Sequence, residues 1–539
     1  MTTEDTVDTR SLHDQEEVPG SATPRPVVDP TTLDPVWTGE ARRLGEILEQ
    51  LGVVGATDAL LARYEQDLGD PRRLGQILVD QGLATPEQIE TALELQRQTS
   101  VLGRVRSKEA ARVADSRVRL MRNVQSVGMF AIALTGVIAI TLLSGGTGSI
   151  YGFAALGFLA LKLIGSAVYR PQLAEAPTDC RVAVIAAFYN EDPVAFARCL
   201  DSIQSQTRQA DEIWVIDDGS TNCDCFKIAQ DTLAHVPGVV VHRMEKNQGK
   251  RHAQGYAFAR TTADIVVTID SDTVLDKSAI AEGLRGFSDP KVMAVTANVR
   301  ALNHRRNLLT RLIDLRYANA FLFERAAYST VGSVVCCCGS LSFFRTEVVK
   351  ENLEDFLHQT FLGVQVQYGD DRRLTQYALQ KGVVHLQDTA VAYTLVPENL
   401  GHYRRQQLRW NKSFFRESLW AIRRFGPRRW PFWVSIAELT VWLAFTASLL
   451  TAMYVRPIAS GHLIPWEFVA FAVVLAYARN VRYFGRPDMS VRSQLATFAC
   501  APLYTVLHVV LLTPLRLWAL LTLRSSAWGT RRKVEVRSI

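Results

Sequence analysis

Apolar residues collect in long runs at 127–143 and 150–168, and again at 432–454, 463–477 and 495–523, on either side of a 180–400 stretch of different texture. Runs of this kind read as membrane helices, so the chain is not a purely soluble protein. The averages conceal this: 48% hydrophobic residues, 21% charged residues and a mean hydropathy of +0.03 would suit an ordinary soluble enzyme. A length of 539 residues predicts two or three units. The net charge of +6, from 60 Lys and Arg against 54 Asp and Glu, is too mild to argue for nucleic acid. Many of the arginines flank the apolar runs, so a lipid bilayer is the expected partner and nucleic acid is not.

The basic stretch Arg112, Arg117, Arg119 and Arg122 leads into the first run and predicts that side as cytoplasmic. Two helices over 125–170, joined at Gly145-Gly146, then return the chain to the cytosol. The expected order continues with a cytosolic α/β domain over 178–400, interfacial amphipathic helices over 401–430 and two further spans over 431–480. The segment 490–525 is interrupted by Pro502, Pro514 and Arg516, and reads as re-entrant or interfacial, or as transmembrane. If the tail 526–539 works beside the cytosolic domain, an even number of crossings precedes it, which favours the interfacial alternative. Lys162 inside the second run must face protein or water, and Glu438 either lines a channel or is hydrogen-bonded between helices. Eight cysteines without paired spacing or nearby histidines predict a reduced compartment and small packed residues, not a metal site.

In the middle stretch, short β-rich runs alternate with helical patterns, which predicts a largely parallel sheet. Ligands of such sheets bind at the carboxyl ends of the strands. Three strands end in acids: Phe188-Tyr189-Asn190-Glu191, Ile216-Asp217-Asp218-Gly219-Ser220 and Ile269-Asp270-Ser271-Asp272. The carboxylates of Asp270-x-Asp272 can converge on one hard divalent cation and leave room for diphosphate oxygens. The loop Lys246-Asn247-Gln248-Gly249-Lys250-Arg251 suits phosphate contacts or is a solvated basic turn. Downstream, Gly369-Asp370-Asp371-Arg372 offers a carboxylate to take a proton from an acceptor hydroxyl, and Gln406-x-x-Arg409-Trp410 offers a cation for a departing diphosphate and a ring to stack on a sugar.

With these residues in place, 125–533 resembles the processive family 2 glycosyltransferases of membranes, the hyaluronan, chitin and cellulose synthases. Within them, Lys250-Arg251-His252-Ala253-Gln254, the run 309–317, Asn411-Lys412-Ser413-Phe414-Phe415-Arg416-Glu417 and Trp528-Gly529-Thr530-Arg531 look most like bacterial hyaluronan synthases. Cys336-Cys337-Cys338-Gly339 looks like rhizobial chitin-oligosaccharide synthases. Both usually follow that glycine with proline, and Ser340 departs from them. The resemblance implies a GT-A-like nucleotide-sugar domain inserted between transmembrane helices, UDP-sugars as donors, a growing β-linked polysaccharide as acceptor, and magnesium or manganese as cofactor. It implies that Tyr189, Glu191 and Asp218 hold the uridine, and that Asp270 and Asp272 hold the diphosphate and its metal. Lys250, Arg251, Cys337, Gly339, Asp370 and Arg372 would also face substrate. Asp371 would be the general base, with Gln406, Arg409 and Trp410 as the acceptor platform and Trp528, Thr530 and Arg531 in a loop closing over the nucleotide.

Ahead of the first apolar run, 1–38 is acidic, proline-bearing and almost free of aromatic side chains, the composition of a disordered tail. A repeat follows: Arg43-Leu44-Gly45-x-Ile47-Leu48 with Gly52 recurs thirty positions on as Arg73-Leu74-Gly75-x-Ile77-Leu78 with Gly82. The segment 40–100 is thus expected to be a small all-α module, either a docking bundle or a site in which two arginines face a two-phosphate ligand. It resembles the cyclic-di-GMP-binding module of pilus and type II secretion ATPases, which implies cyclic-di-GMP as ligand.

Overall fold

The computed structural model describes residues 44–50, 52–55, 58, 62, 72–93, 116–143, 149–177, 179–451, 455, 458, 466–484, 486 and 488–525. The expected tail at 1–38, Arg43, and the expected closing loop with Trp528, Thr530 and Arg531 lie outside them. The chain divides into two compact units, Met1–Gly103 and Arg104–Ile539.

In the first unit, the repeat is repeated in structure. The turn after helix Leu44–Gln50 is closed by the amides of Gly52, Val53 and Val54 on the carbonyls of Glu49 and Leu48. The turn after Leu74–Asp80 is closed by Gly82, Leu83 and Ala84 on Val79 and Leu78. Gly52 and Gly82 have φ of 68° and 67°, a left-handed conformation that favours glycine at each helix end. Ile47 and Leu48 of one copy and Ile77 and Leu78 of the other share one small core. Gly75 lies against Leu44 and Ile89, with no room for a Cβ.

The second unit is built on a sheet of strands β1 (Val182–Phe188), β2 (Glu212–Asp217), β3 (Val239–Arg243), β4 (Ile265–Asp270), β5 (Thr273–Leu275), β6 (Val292–Ala301), β7 (Leu341–Arg345) and β10 (Val383–Thr394), with a separate hairpin of β8 (Thr360–Phe361) and β9 (Val364–Gln365). The order is β3-β2-β1-β4-β7-β6-β10-β5. β3, β2, β1 and β4 run parallel, β7 runs antiparallel between β4 and β6, and β5 pairs antiparallel with β10. All seven residues of β1 are buried, as a strand covered on both faces requires. Val184 and Phe188 face one core with Phe196 and Leu200, while Ile185 and Ala187 face another with Phe258. The expected α/β domain is thus a mixed sheet between helical layers, and the chain switches direction on either side of β1, where ligands bind in open sheets.

Among the described residues, three helices are long and apolar enough to cross a membrane: Asn123–Leu142, Trp430–Leu450 and Val491–Leu521. Ser149–Val168 packs beside the first of these. The prolines expected to break 490–525 do not end the helix. Pro502 and Pro514 each fall in the first turn of a helical segment, where a missing N–H costs nothing, and the π-helical turn His508–Leu512 precedes the second.

The two ends of Val491–Leu521 are nevertheless tied down, the first to the α/β domain and the second to the helix Leu400–Phe425. Ahead of it, Arg486 pairs with Asp314 and Asp488, each at 2.6 Å, and Asp488 pairs with Arg300 at 3.2 Å. After it, the carbonyls of Leu523 and Ser525 accept from Arg416 and Lys412. Its exposed apolar residues Val491, Leu495, Leu503, Val506, Val510 and Leu521 recur at helical spacing, while Gln494, Thr497, Ala501, Thr513 and Leu515 are buried on protein. The helix thus presents one apolar face outward and packs its other face on protein.

Candidate active site

The carboxyl ends of β1, β2 and β4 meet because the strands are in register: Phe188 lies opposite Asp217, and Ala187 opposite Asp270. Beyond β1, Asn190 adopts φ 46°, and its side-chain oxygen accepts from the Thr221 amide at 2.8 Å. This folds the next residue, Glu191, inward, where it accepts from the Ser271 hydroxyl at 2.7 Å. Asp218 accepts from the amides of Gln248 and Gly249 at 2.9 and 2.8 Å and from Asn247 Nδ2 at 3.0 Å. It therefore anchors the basic loop against the sheet edge. Gly219 permits the close approach: a Cβ there would meet the Lys246 carbonyl carbon at 2.6 Å. Burial pushes the Asp218 carboxyl up to about 6.

The anchored loop delivers Lys250, whose ammonium meets Asp270 and stands 3.7 Å from Asp370. Burial alone would lower its pKa, but the two carboxylates hold it above the usual lysine value. Gly369, in the left-handed region at φ 91°, starts the helix Asp370–Lys381, so Asp370 and Asp371 occupy its first turn. Asp371 accepts from the Arg372 amide at 2.8 Å, and the Cys336 thiol lies 3.8 Å from its other oxygen. Burial first, and then the neighbouring Asp370, push Asp371 up to about 6. A carboxyl so placed is ionised at neutral pH yet basic enough to take a proton. Gln406, Arg409 and Trp410 sit three and four residues apart on the helix Leu400–Phe425, hence on one face.

Tyr189, Glu191, Asp218, Lys250, Asp270, Asp272, Gly339, Asp370, Asp371, Arg372, Gln406, Arg409 and Trp410 all line one cavity of about 1090 Å³. Two expected site residues are not brought to it. Arg251 follows Lys250 on the same helix, about 100° round, and is turned into the interior, where it donates to the carbonyls of Phe356 and Tyr368. Cys337 is buried in the sheet core with its amide donating to Thr375, while its neighbours Cys336 and Cys338 face the cavity.

Asp270 and Asp272 present hard oxygen donors to the cavity, which suits magnesium or manganese. Among the described residues, no three His, Cys, Asp or Glu side chains come together as a metal cluster. A two-carboxylate site completed by diphosphate oxygens is the arrangement such ions take in nucleotide enzymes.

The cavity continues between the apolar helices, and this extension was only partly legible in the sequence. Lys162, flagged as costly in lipid, lies 3.7 Å from Glu324, which also pairs with Arg316 at 3.1 Å and Arg479 at 3.0 Å. Glu438 lines the cavity and accepts from the Tyr328 hydroxyl at 2.8 Å. Glu324 carried no sequence signal, since it belongs to the α/β stretch and reaches the cavity from the π-helical turn Asn319–Arg325; Arg316, inside the run 309–317, reaches it from the helix before.

Residues 178–413 match the family described as "Glycosyltransferase like family 2". The chain is 38% identical over 412 residues to a hyaluronan synthase of Streptococcus pyogenes, covering 76% of this chain and 96% of that one. It is 35% identical over 365 residues to an N-acetylglucosaminyltransferase of Azorhizobium caulinodans, covering 66% and 88%. Among solved structures, a mannosyltransferase from Pyrobaculum calidifontis in complex with GDP-Man and Mn2+ aligns with a TM-score of 0.47 at 22% identity, covering 71% of this chain and 99% of that one.

Proposed function

From the premise that the chain belongs to the hyaluronan synthase family of glycosyltransferases, we propose that this processive, membrane-associated enzyme joins UDP-N-acetylglucosamine and UDP-glucuronate into hyaluronan and passes the product across the plasma membrane. The acceptor hydroxyl attacks the anomeric carbon of an α-linked donor. The new C–O bond forms as the bond to the diphosphate oxygen breaks, Asp371 takes the hydroxyl proton, and UDP leaves with the electron pair. The product linkage is β. Arg409 neutralises charge growing on the leaving group, and Trp410 and Gln406 seat the acceptor. Asp270 and Asp272 would hold a magnesium or manganese ion, which would supply further charge neutralisation at the diphosphate.

The observation that carries an anionic product is the cavity's extension between the apolar helices. Away from the strand-end carboxylates, Lys162, Arg316, Arg479 and Arg516 line it together with Glu324 and Glu438. A passage with this charge excess suits a polymer bearing a carboxylate on every second sugar better than neutral chitin. The test is radiolabel incorporation by the purified protein with either donor alone or both, followed by hyaluronidase or chitinase. Polymer formed only with both donors and cut by hyaluronidase is expected. Polymer from UDP-N-acetylglucosamine alone, cut by chitinase, overturns the reading in favour of a single-sugar synthase.

The N-terminal module is proposed to bind cyclic-di-GMP and regulate synthesis. Two like turns thirty residues apart and the exposed side chain of Arg73 support it. Calorimetry on Arg43→Ala with Arg73→Ala is expected to show no binding; unchanged affinity removes the assignment.

A further inference from the structure

Each carboxylate of Asp270-x-Asp272 receives a hydroxyl from a different part of the sheet. Ser340 Oγ donates to Asp270 Oδ2 at 3.2 Å, and Thr394 Oγ1 donates to Asp272 Oδ1 at 3.3 Å. Both donors are only 5% exposed. Strand register fixes them there. Leu341 lies opposite Ile269 in the β4–β7 pair, which sets Ser340 beside Asp270, and Thr394 lies opposite Thr273 in the β5–β10 pair, which sets it beside Asp272. The backbone before Ser340 is wrapped against the same carboxylate: a Cβ on Gly339 would stand 3.2 Å from Asp270 Oδ2 and 3.5 Å from Lys250 Nζ.

We propose that Ser340 and Thr394 are positioning residues that orient the two carboxylates of Asp270-x-Asp272 and thereby set the affinity of the site for its divalent ion. A carboxylate free to rotate must be ordered when an ion binds; Ser340 holds Asp270 at Oδ2 while the Lys250 ammonium lies at Oδ1, the place an incoming ion would take from it, and Thr394 holds Asp272 at Oδ1. Outer-shell donors of this kind are worth roughly 10–100-fold in metal affinity. The inference rests on the reading of Asp270 and Asp272 as the metal carboxylates.

The experiment is an Mn2+ titration of the full-length protein in detergent with saturating UDP, read by the loss of the free-ion signal in electron paramagnetic resonance. Ser340→Ala and Thr394→Val are each expected to weaken Mn2+ about tenfold and the double variant up to about 100-fold. Ser340→Thr and Thr394→Ser, which keep the hydroxyl, are expected to stay near the parent. Activity lost at limiting Mn2+ should return as Mn2+ is raised. Mn2+ affinity within twofold of the parent in Ser340→Ala, with an unchanged thermal midpoint, overturns the inference. If Thr394→Val fails to fold, Ser340→Ala against Ser340→Thr decides alone. Mn2+ binding that is unaffected by Asp270→Asn with Asp272→Asn overturns the underlying reading of the site instead.

Discussion

Asp371 carries the most exposed claim at the residue scale, because its environment sets when it can act. Its carboxyl is pushed up to about 6 by burial and by Asp370, so a base that must be ionised loses its working form as pH falls through that value. The acid limb of kcat/KM should therefore bend near pH 6 and fall about tenfold per unit below it. Asp371→Asn should cost about 10²–10⁴ in rate while UDP still binds by calorimetry. Asp218 is pushed to a similar value, so Asp218→Asn is the control: a limb that survives there and vanishes from the residual activity of Asp371→Asn belongs to Asp371. A profile flat from pH 5 to 8 would remove Asp371 as base. The acids were legible because chemistry at a sheet edge uses carboxylates just past strand ends, and their order survives in the sequence. Arg251 and Cys337 were misplaced for the complementary reason. A run such as Lys250-Arg251 or Cys336-Cys337-Cys338 gives residue order, while the helix turn or extended backbone decides which neighbour faces the cavity.

The run 411–417 shows what a motif is for at the scale of an element. It reads in the sequence as a family signature beside the acceptor platform, yet its side chains join three elements. Asn411 accepts from Arg516 at 2.9 Å, Lys412 and Arg416 hold the carbonyls after the last helix, and Ser413 packs where Gly369 has no Cβ. Glu417 pairs with Arg373 of the Asp371-bearing helix at 3.1 Å, with both side chains almost fully buried. Removing one member of a buried pair leaves an uncompensated charge, so Glu417→Ala should destabilise the fold by about 3–5 kcal/mol. The exposed pair Lys381–Glu351 bridges nearby elements at 2.5 Å, but Lys381→Ala should cost under about 1 kcal/mol because solvent screens it. Chemical denaturation followed by tryptophan fluorescence compares the two. Equal losses would mean that the buried pair does not lock the catalytic helix to the acceptor helix. No single-sequence pattern announces such a lock, because its partners lie 44 residues apart or more.

At the scale of the whole molecule, hydropathy and tertiary contacts point different ways for Val491–Leu521. At 31 residues the helix would extend about 46 Å, ample for a crossing of about 30 Å. A single crossing would leave its ends on opposite sides, however, whereas Arg486, Asp488 and Ser525 are all bonded to the α/β domain or the acceptor helix. Apolar runs were legible in the sequence because lipid selects composition; the side on which a run ends was not, because that is fixed by ion pairs between distant residues. We propose that this helix lies on the interface, so that the expected spans over 127–143, 150–168, 432–454 and 463–477 would supply an even number of crossings. Cysteines introduced at Ile458 and Arg492, both exposed, separate the alternatives in intact cells treated with an impermeant maleimide. Ile458→Cys should label from outside, and Arg492→Cys only after permeabilisation, against the native cysteines as background. Labelling of Arg492→Cys from outside would make Val491–Leu521 a crossing, and would leave the ion pairs of Arg486 and Asp488 with the α/β domain without a side of the membrane on which to form.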